Sequence, residues 1–125
     1  MIDIYFNIDS DTMMKWEAML FGPDDTEWEG GVFFLNIEFK ETYPIEPPKV
    51  SFKYPKMFHP NIYANGEICL DILQKGWTQA YNMLAVMKSI QSLLTDPNTS
   101  SPANTDAAKL FDSKPLLLSL AINNS

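Results

Sequence analysis

The chain has 125 residues, 46% hydrophobic and 20% charged, which is enough for one compact domain with a single core. A formal net charge of −7 argues against broad binding to a nucleic-acid backbone, which draws on clustered Lys and Arg. One cysteine excludes an internal disulfide framework and fits a reducing compartment; with no basic region and apolar run at the N-terminus, the expected location is cytosol or nucleus.

Over residues 2–8, Ile2, Ile4, Phe6 and Ile8 alternate with Asp3, Tyr5 and Asn7, the pattern of a half-buried strand. A turn follows at 9–11. Met14, Trp16, Ala18 and Leu20 then line one face of a second strand, closed by Gly22, Pro23, Asp24 and Asp25. Gly30 and Gly31 open a third, where Phe33, Leu35, Ile37 and Phe39 form an apolar face opposite Asn36 and Glu38. Pro44, Pro47 and Pro48 exclude helix, and a fourth strand is expected over 49–53. The short connections favour an antiparallel meander. Between residues 53 and 77 regular periodicity fades, and a long irregular stretch inside a compact domain is more often functional than not.

Downstream, Asn82 can cap a helix whose Met83, Met87, Ile90 and Leu94 follow the 3.6-residue period, with Val86 and Leu93 widening the stripe. Lys88, Ser89, Gln91 and Ser92 are expected to face away, and Pro97 ends the helix. The stripe reads as core docked on the apolar face of the sheet. The fold class is therefore α+β, a four-stranded antiparallel meander packed on a central helix. The apolar run over 116–122 is far shorter than the ~20 residues that cross a bilayer, so no membrane association is expected.

The irregular stretch holds the only histidine and the only cysteine, as FHPNIYANGEICLDILQKGW over 58–77. An extended backbone through Ile68, Cys69, Leu70, Asp71 and Ile72 turns the thiol to the side of the Asp71 carboxylate, which is costly to bury unpaired. On residue type alone a lone intracellular cysteine reads as a small buried hydrophobe. Asn61 has an equally ordinary use as a turn residue bonding its own backbone, and His59 as a satisfied buried histidine. Trp77 reads as a packing residue between loop and core.

The order of these residues is more telling than their types. His59-Pro60-Asn61, the turn at Gly66, and Cys69 in an Ile-Cys-Leu-Asp context closely resemble the active-site segment of the ubiquitin-conjugating enzymes. The similarity extends through Trp77, through Tyr43, Pro44, Pro47 and Pro48, and through Asp96, Pro97, Asn98, Ser101 and Pro102, over roughly 12–111. Residues 69–74, 89–94 and 101–104 look most like the branch that serves post-replication DNA repair and histone ubiquitination.

The resemblance implies a ubiquitin-conjugating core over 1–111, with a short C-terminal helix from Thr105, and a divergent tail over 112–125 that is displaced or disordered. Pro115 would interrupt a helix continuing into it. Family members carry a helix ahead of the first strand, and this sequence opens at what reads as that strand. The resemblance implies that docking of the activating enzyme and of ligases, and hence charging, suffers.

It further implies that Cys69 accepts ubiquitin as a thioester from an activating enzyme and passes it to lysines of protein substrates, usually with a ligase. The acyl group arrives activated, so the thiol needs little general-base help. Asn61 would stabilise the oxyanion, where losing one donor typically costs on the order of 10²–10³ in rate. Asp71 would orient the incoming lysine. His59, Pro60 and Trp77 would be structural. Many relatives carry an acid where Ser101 stands, so phosphorylation of Ser101 before Pro102 would restore about −1.5 to −2 charges there; an ordinary loop serine is the competing reading. Ile45, with Glu46, and Thr78, Gln79 and Ala80 correspond to ligase-facing loops, Gln79 replacing a common proline. Tyr54-Pro55 is expected to bring one extra residue ahead of His59. No cofactor and no metal are implied. Two alternatives stay open: a catalytically impaired ubiquitin-binding or regulatory module of the same fold, and a conjugating enzyme for another ubiquitin-like modifier.

Overall fold

The computed structural model describes residues 4–113 apart from positions 10 and 12. Alternating apolar residues build four strands, β1 (Ile4–Ile8), β2 (Lys15–Phe21), β3 (Val32–Glu38) and β4 (Lys49–Tyr54), joined in chain order as one antiparallel sheet. The registers Ile4↔Leu20, Ala18↔Leu35 and Ile37↔Val50 put the apolar alternates of every strand on one face. Helix α1 (Met83–Thr95) covers it, burying Met83, Val86, Met87, Ile90, Leu93 and Leu94 against Ala18, Leu20, Leu35, Ile37, Val50 and Phe52. Asn82 caps α1, its side chain accepting the Ala85 N–H at 2.8 Å. Helix α2 (Thr105–Ser113) adds Ala107 to the core.

The meander, the central helix and its cap stand as the sequence pattern predicts, with four differences. The half-buried face expected along β1 fails beyond Ile4: Phe6 and Ile8 are 37% and 42% exposed, because α1 does not reach the outer edge of the sheet. Gln91 does not face away into solvent; it is partly buried, and its Nε2 donates to the Phe21 carbonyl at 2.7 Å. β4 runs one residue past Lys53 because the register shifts from Leu35↔Phe52 to Phe34↔Tyr54, leaving Lys53 in a bulge. Helix α2 continues two residues past Phe111, and the expected tail from 114 onward lies outside the described residues, as does Ile2.

Candidate active site

Between β4 and α1 the chain makes a second, smaller hairpin. Asn65 and Gly66 form its turn: Gly66 has φ +91, its N–H donates to Tyr63 O at 2.9 Å, and Asn65 Oδ1 accepts the Glu67 N–H at 3.0 Å. Ile62 bridges Ile68, and Cys69 N–H donates to Asn61 O at 2.8 Å, so Cys69 and Asn61 face each other across the hairpin. Phe52 N–H donates to Gly66 O at 2.8 Å and Ser51 bridges Glu67, which docks the hairpin along β4. The sheet thereby sets where the cysteine lies.

His59-Pro60-Asn61 fastens this hairpin to the rest of the molecule. His59 is fully buried. Its Nδ1 accepts the Asn61 N–H at 3.0 Å, which leaves Nε2–H to donate to Leu93 O at 2.8 Å at the end of α1. Burial lowers its pKa from 6.5 to about 4, against the opposing pull of the Leu93 and Leu94 carbonyl contacts, so the ring is neutral near pH 7. Pro60 O accepts both Ala103 N–H, at 2.7 Å, and Asn104 N–H, at 3.0 Å, just where Asn104 caps α2. The Asn61 carboxamide grips Asn98 from both ends, Nδ2 donating to its carbonyl at 2.7 Å and Oδ1 accepting its N–H at 2.8 Å. Three consecutive residues thus hold α1, the start of α2 and the 98–104 loop in one frame.

Cys69 is partly exposed and unpaired with any other cysteine. The extended run expected through Ile72 stops at Leu70, whose φ −142 and ψ 130 are extended; Asp71–Leu73 then forms a 3₁₀ turn. Ile68 still points into the core while Asp71 is exposed at the start of that turn. Asp71 O accepts N–H groups from Gln74 and Gly76, both at 2.9 Å. A Cβ on Gly76 would collide with the Asp71 carboxylate, which therefore lies over the Gly76 Cα. Ser101 is exposed in the loop that Asn61 grips, next to Ser100, which bonds Asn98 Oδ1 through both its N–H and its hydroxyl.

A second cluster forms at the far end of the segment. Trp77 Nε1–H donates to Pro44 O at 2.9 Å, its ring tilted against Tyr43 and Tyr81. That bond ties the 43–46 loop to the 77–80 loop, so Ile45, at 73% exposure, shares one surface region with the exposed Thr78, Gln79 and Ala80. The structure therefore gathers His59, Pro60, Asn61 and Cys69 at one place and the ligase-facing candidates at another, linked by the short segment 70–77. Sequence reasoning missed the part played by Asn98, whose backbone is the partner of Asn61; a contact 37 residues away leaves no local pattern. Among the described residues no group of three or more His, Cys, Asp or Glu could hold a metal, and no helix is long and apolar enough to cross a membrane.

The chain that carries this hairpin cysteine and buried His-Pro-Asn triplet is similar in sequence to known proteins. The family profile described as ubiquitin-conjugating enzyme aligns with residues 2–119. The chain belongs to the ubiquitin-conjugating enzyme family. Similar relatives include ubiquitin-conjugating enzyme E2 3 of Arabidopsis thaliana, 59% identical over 99 residues that cover 79% of this chain and 65% of the relative. Ubiquitin-conjugating enzyme E2 2 of Saccharomyces cerevisiae is 57% identical over 101 residues, 81% of this chain and 58% of the relative. The E2 2 of Trichoderma harzianum is 55% identical over 101 residues, 81% and 66% respectively. The chain spans about three fifths of the length of the curated relatives it matches. Within this ubiquitin-conjugating fold, the α+β architecture places Cys69 at a surface hairpin rather than in the core.

Proposed function

We propose that the protein is a ubiquitin-conjugating enzyme working through a Cys69 thioester. The observation that carries this reading is the partly exposed thiol of Cys69, whose backbone N–H donates to Asn61 O at 2.8 Å and so sets the two residues across from each other in the hairpin. In the first step the Cys69 thiolate attacks the carbonyl carbon of a ubiquitin thioester on the activating enzyme, and that enzyme's thiolate leaves. In the second a neutral substrate lysine attacks the new thioester; a C–N bond forms, the C–S bond breaks, Cys69 leaves as thiolate, and the amine proton passes to water.

Negative charge builds on the carbonyl oxygen during the second step. Only one of the two Nδ2 hydrogens of Asn61 is taken by Asn98, and the other supports its role as oxyanion donor. The same side chain keeps the 98–104 loop in place, so its contribution is double. Asp71 orients the incoming lysine, and negative charge added at Ser101 would act on the same approach. Ile45, Thr78, Gln79 and Ala80 form the ligase surface. Ubiquitin, an activating enzyme, a ligase and lysine-bearing proteins are the partners, within cytosol or nucleus. The relatives named E2 2 and E2 3 support a place in the branch serving post-replication repair.

The test is incubation with activating enzyme, ATP and ubiquitin, followed by a non-reducing gel. A thiol-sensitive adduct that disappears in Cys69→Ala is expected. An adduct formed only with another modifier reassigns the substrate, and its complete absence together with measurable ubiquitin binding turns the reading to a regulatory module. For Ser101, a proline-directed kinase followed by lysine discharge decides; unchanged discharge after modification removes that role.

A further inference from the structure

The sheet has two outer strands, and they are finished differently. β4 is covered: Phe52 N–H donates to Gly66 O, Ser51 bridges Glu67, and Lys49 pairs with Glu67 at 3.4 Å, so the hairpin that carries Cys69 closes that side. β1 has β2 on one side, and among the described residues no hydrogen bond reaches it from the other. The ladder fixes which groups are left over. Asp9 N–H donates to Lys15 O at 2.8 Å in the register that pairs Ile8 with Trp16, so Asp9, Asn7 and Tyr5 turn their backbone groups toward β2. Ile4, Phe6 and Ile8 therefore turn their N–H and C=O groups outward.

Shortness apart, this free side lacks the devices that keep edge strands from pairing. Ile4–Ile8 holds no charged residue and no proline, and it runs along β2 without a bulge. Phe6 and Ile8 are 37% and 42% exposed where α1 does not reach. Phe6 also leads an aromatic ridge through Trp16 to Phe39, with ring centroids 5.5 and 5.0 Å apart. The segment is its own complement. Set antiparallel about Phe6, two copies bring Phe6 against Phe6 and Ile4 against Ile8, so every outward backbone group finds a partner and no like charges meet within the paired residues. With one open edge per molecule among the described residues, such pairing closes at two copies instead of running on into a fibre.

We infer that the protein self-associates through β1, the strand pairing antiparallel with β1 of a second copy across a two-fold axis at Phe6. The two sheets become one, with both α1 helices on the same face and the exposed Phe6 of each copy packed beside that of the other. β4 and its hairpin lie at the far ends of the joined sheet, so both Cys69 thiols remain open. Five residues a side make a small interface, of the size class found in transient complexes. Each chain carries a net charge of −7, so two copies repel at long range and salt strengthens their association. The contact is independent of the thioester chemistry.

Sedimentation velocity of the full chain from about 10 μM to about 1 mM, at about 50 mM and about 500 mM salt, reads the association. A monomer–dimer equilibrium that tightens with salt is expected. In hydrogen exchange on the same samples, the amides of Phe6 and Ile8 are fast when dilute and slowed at high concentration, while those of Tyr5 and Asn7 are slow in both. Phe6→Lys and Phe6→Glu each weaken the dimer about tenfold, and an equimolar mixture of the two restores it to within about threefold, because position 6 meets position 6. A folding defect is not restored by mixing, so the two variants separate the contact from stability. A chain monomeric throughout, oligomers that keep growing with concentration, or a loss that mixing does not restore overturns the inference. Amides of Phe6 and Ile8 slowed equally at every concentration assign the edge to the chain's own residues, and slowing only on addition of a Thr-Val repeat peptide assigns it to a peptide ligand; either result overturns pairing with a second copy.

Discussion

Gly66 is where the hairpin that carries Cys69 depends on a missing side chain, and the structure supplies its own control. At Gly66→Ala, a φ of +91 costs an L-residue about 1–2 kcal/mol. The new Cβ would also run into the Phe52 carbonyl, and Gly66 O is the acceptor for Phe52 N–H, so the docking bond is strained or lost at about 1 kcal/mol. Displacing the hairpin from β4 adds about 1–3 kcal/mol of misfit. The total is about 3–6 kcal/mol. For a chain of this length, where 1 kcal/mol moves the midpoint by about 4 °C, Tm should fall by roughly 12–24 °C. Gly30 has a similar φ of +85 but nothing within 4 Å of its would-be Cβ, so Gly30→Ala carries only the conformational cost, about 1–2 kcal/mol and roughly 4–8 °C. Thermal unfolding followed by circular dichroism compares the two. Thioester formation at a temperature where both remain folded should be impaired in Gly66→Ala and normal in Gly30→Ala, because only the first shifts the strand that carries Cys69. Two melting points within a few degrees of each other would refute the claim that close backbone approach, rather than turn conformation, holds the site.

The other predictions concern the triplet and the two loops. Between the folded value of about 4 and the unfolded 6.5 for His59, the unfolded chain binds the extra proton, so stability is full above pH 6.5 and declines as pH falls to about 4, by about 3 kcal/mol. Denaturant melts across that range should show this slope, and His59→Gln should flatten it relative to the parent; an unchanged slope removes the buried-imidazole explanation. Asn61→Ala orphans both backbone groups of Asn98, a loss of about 1–3 kcal/mol, and hydrogen exchange at the Asn98 amide should accelerate together with a drop in lysine discharge. If discharge falls while that amide stays protected, the residue acts on the oxyanion and not through the loop. Trp77→Phe removes the bond to Pro44 O, worth about 1 kcal/mol, and should weaken ligase-stimulated discharge far more than the ligase-free rate. Equal losses in both assays would contradict a role in joining the two exposed loops.

Much of this molecule could be read from local pattern. Period-two alternation identified β2 and β3, the cap at Asn82 and the stripe through Leu94 identified α1, and the prolines at 44, 47 and 48 marked the break before β4. Those signals are legible because each depends on neighbours a few residues apart. The order His59, Pro60, Asn61, Gly66, Cys69 pointed to the family, and the profile match bears that out.

The chemistry of the site was decided at longer range. That Asn61 is buried with its carboxamide on Asn98, that Pro60 supports residues 103 and 104, and that Trp77 reaches Pro44 all follow from contacts 33–44 residues apart, for which composition and spacing carry no signal. The exposure of Phe6 and Ile8 was likewise settled by how far α1 extends over the sheet, since alternation tells which way a side chain points and not what covers it. Sequence thus determined the elements and the ordered residues that mark the family, because hydrogen-bonding and apolar periodicity are local properties of the chain; tertiary structure alone decided which backbone groups the His-Pro-Asn side chains satisfy, because buried polar atoms take whatever partner the fold brings to them.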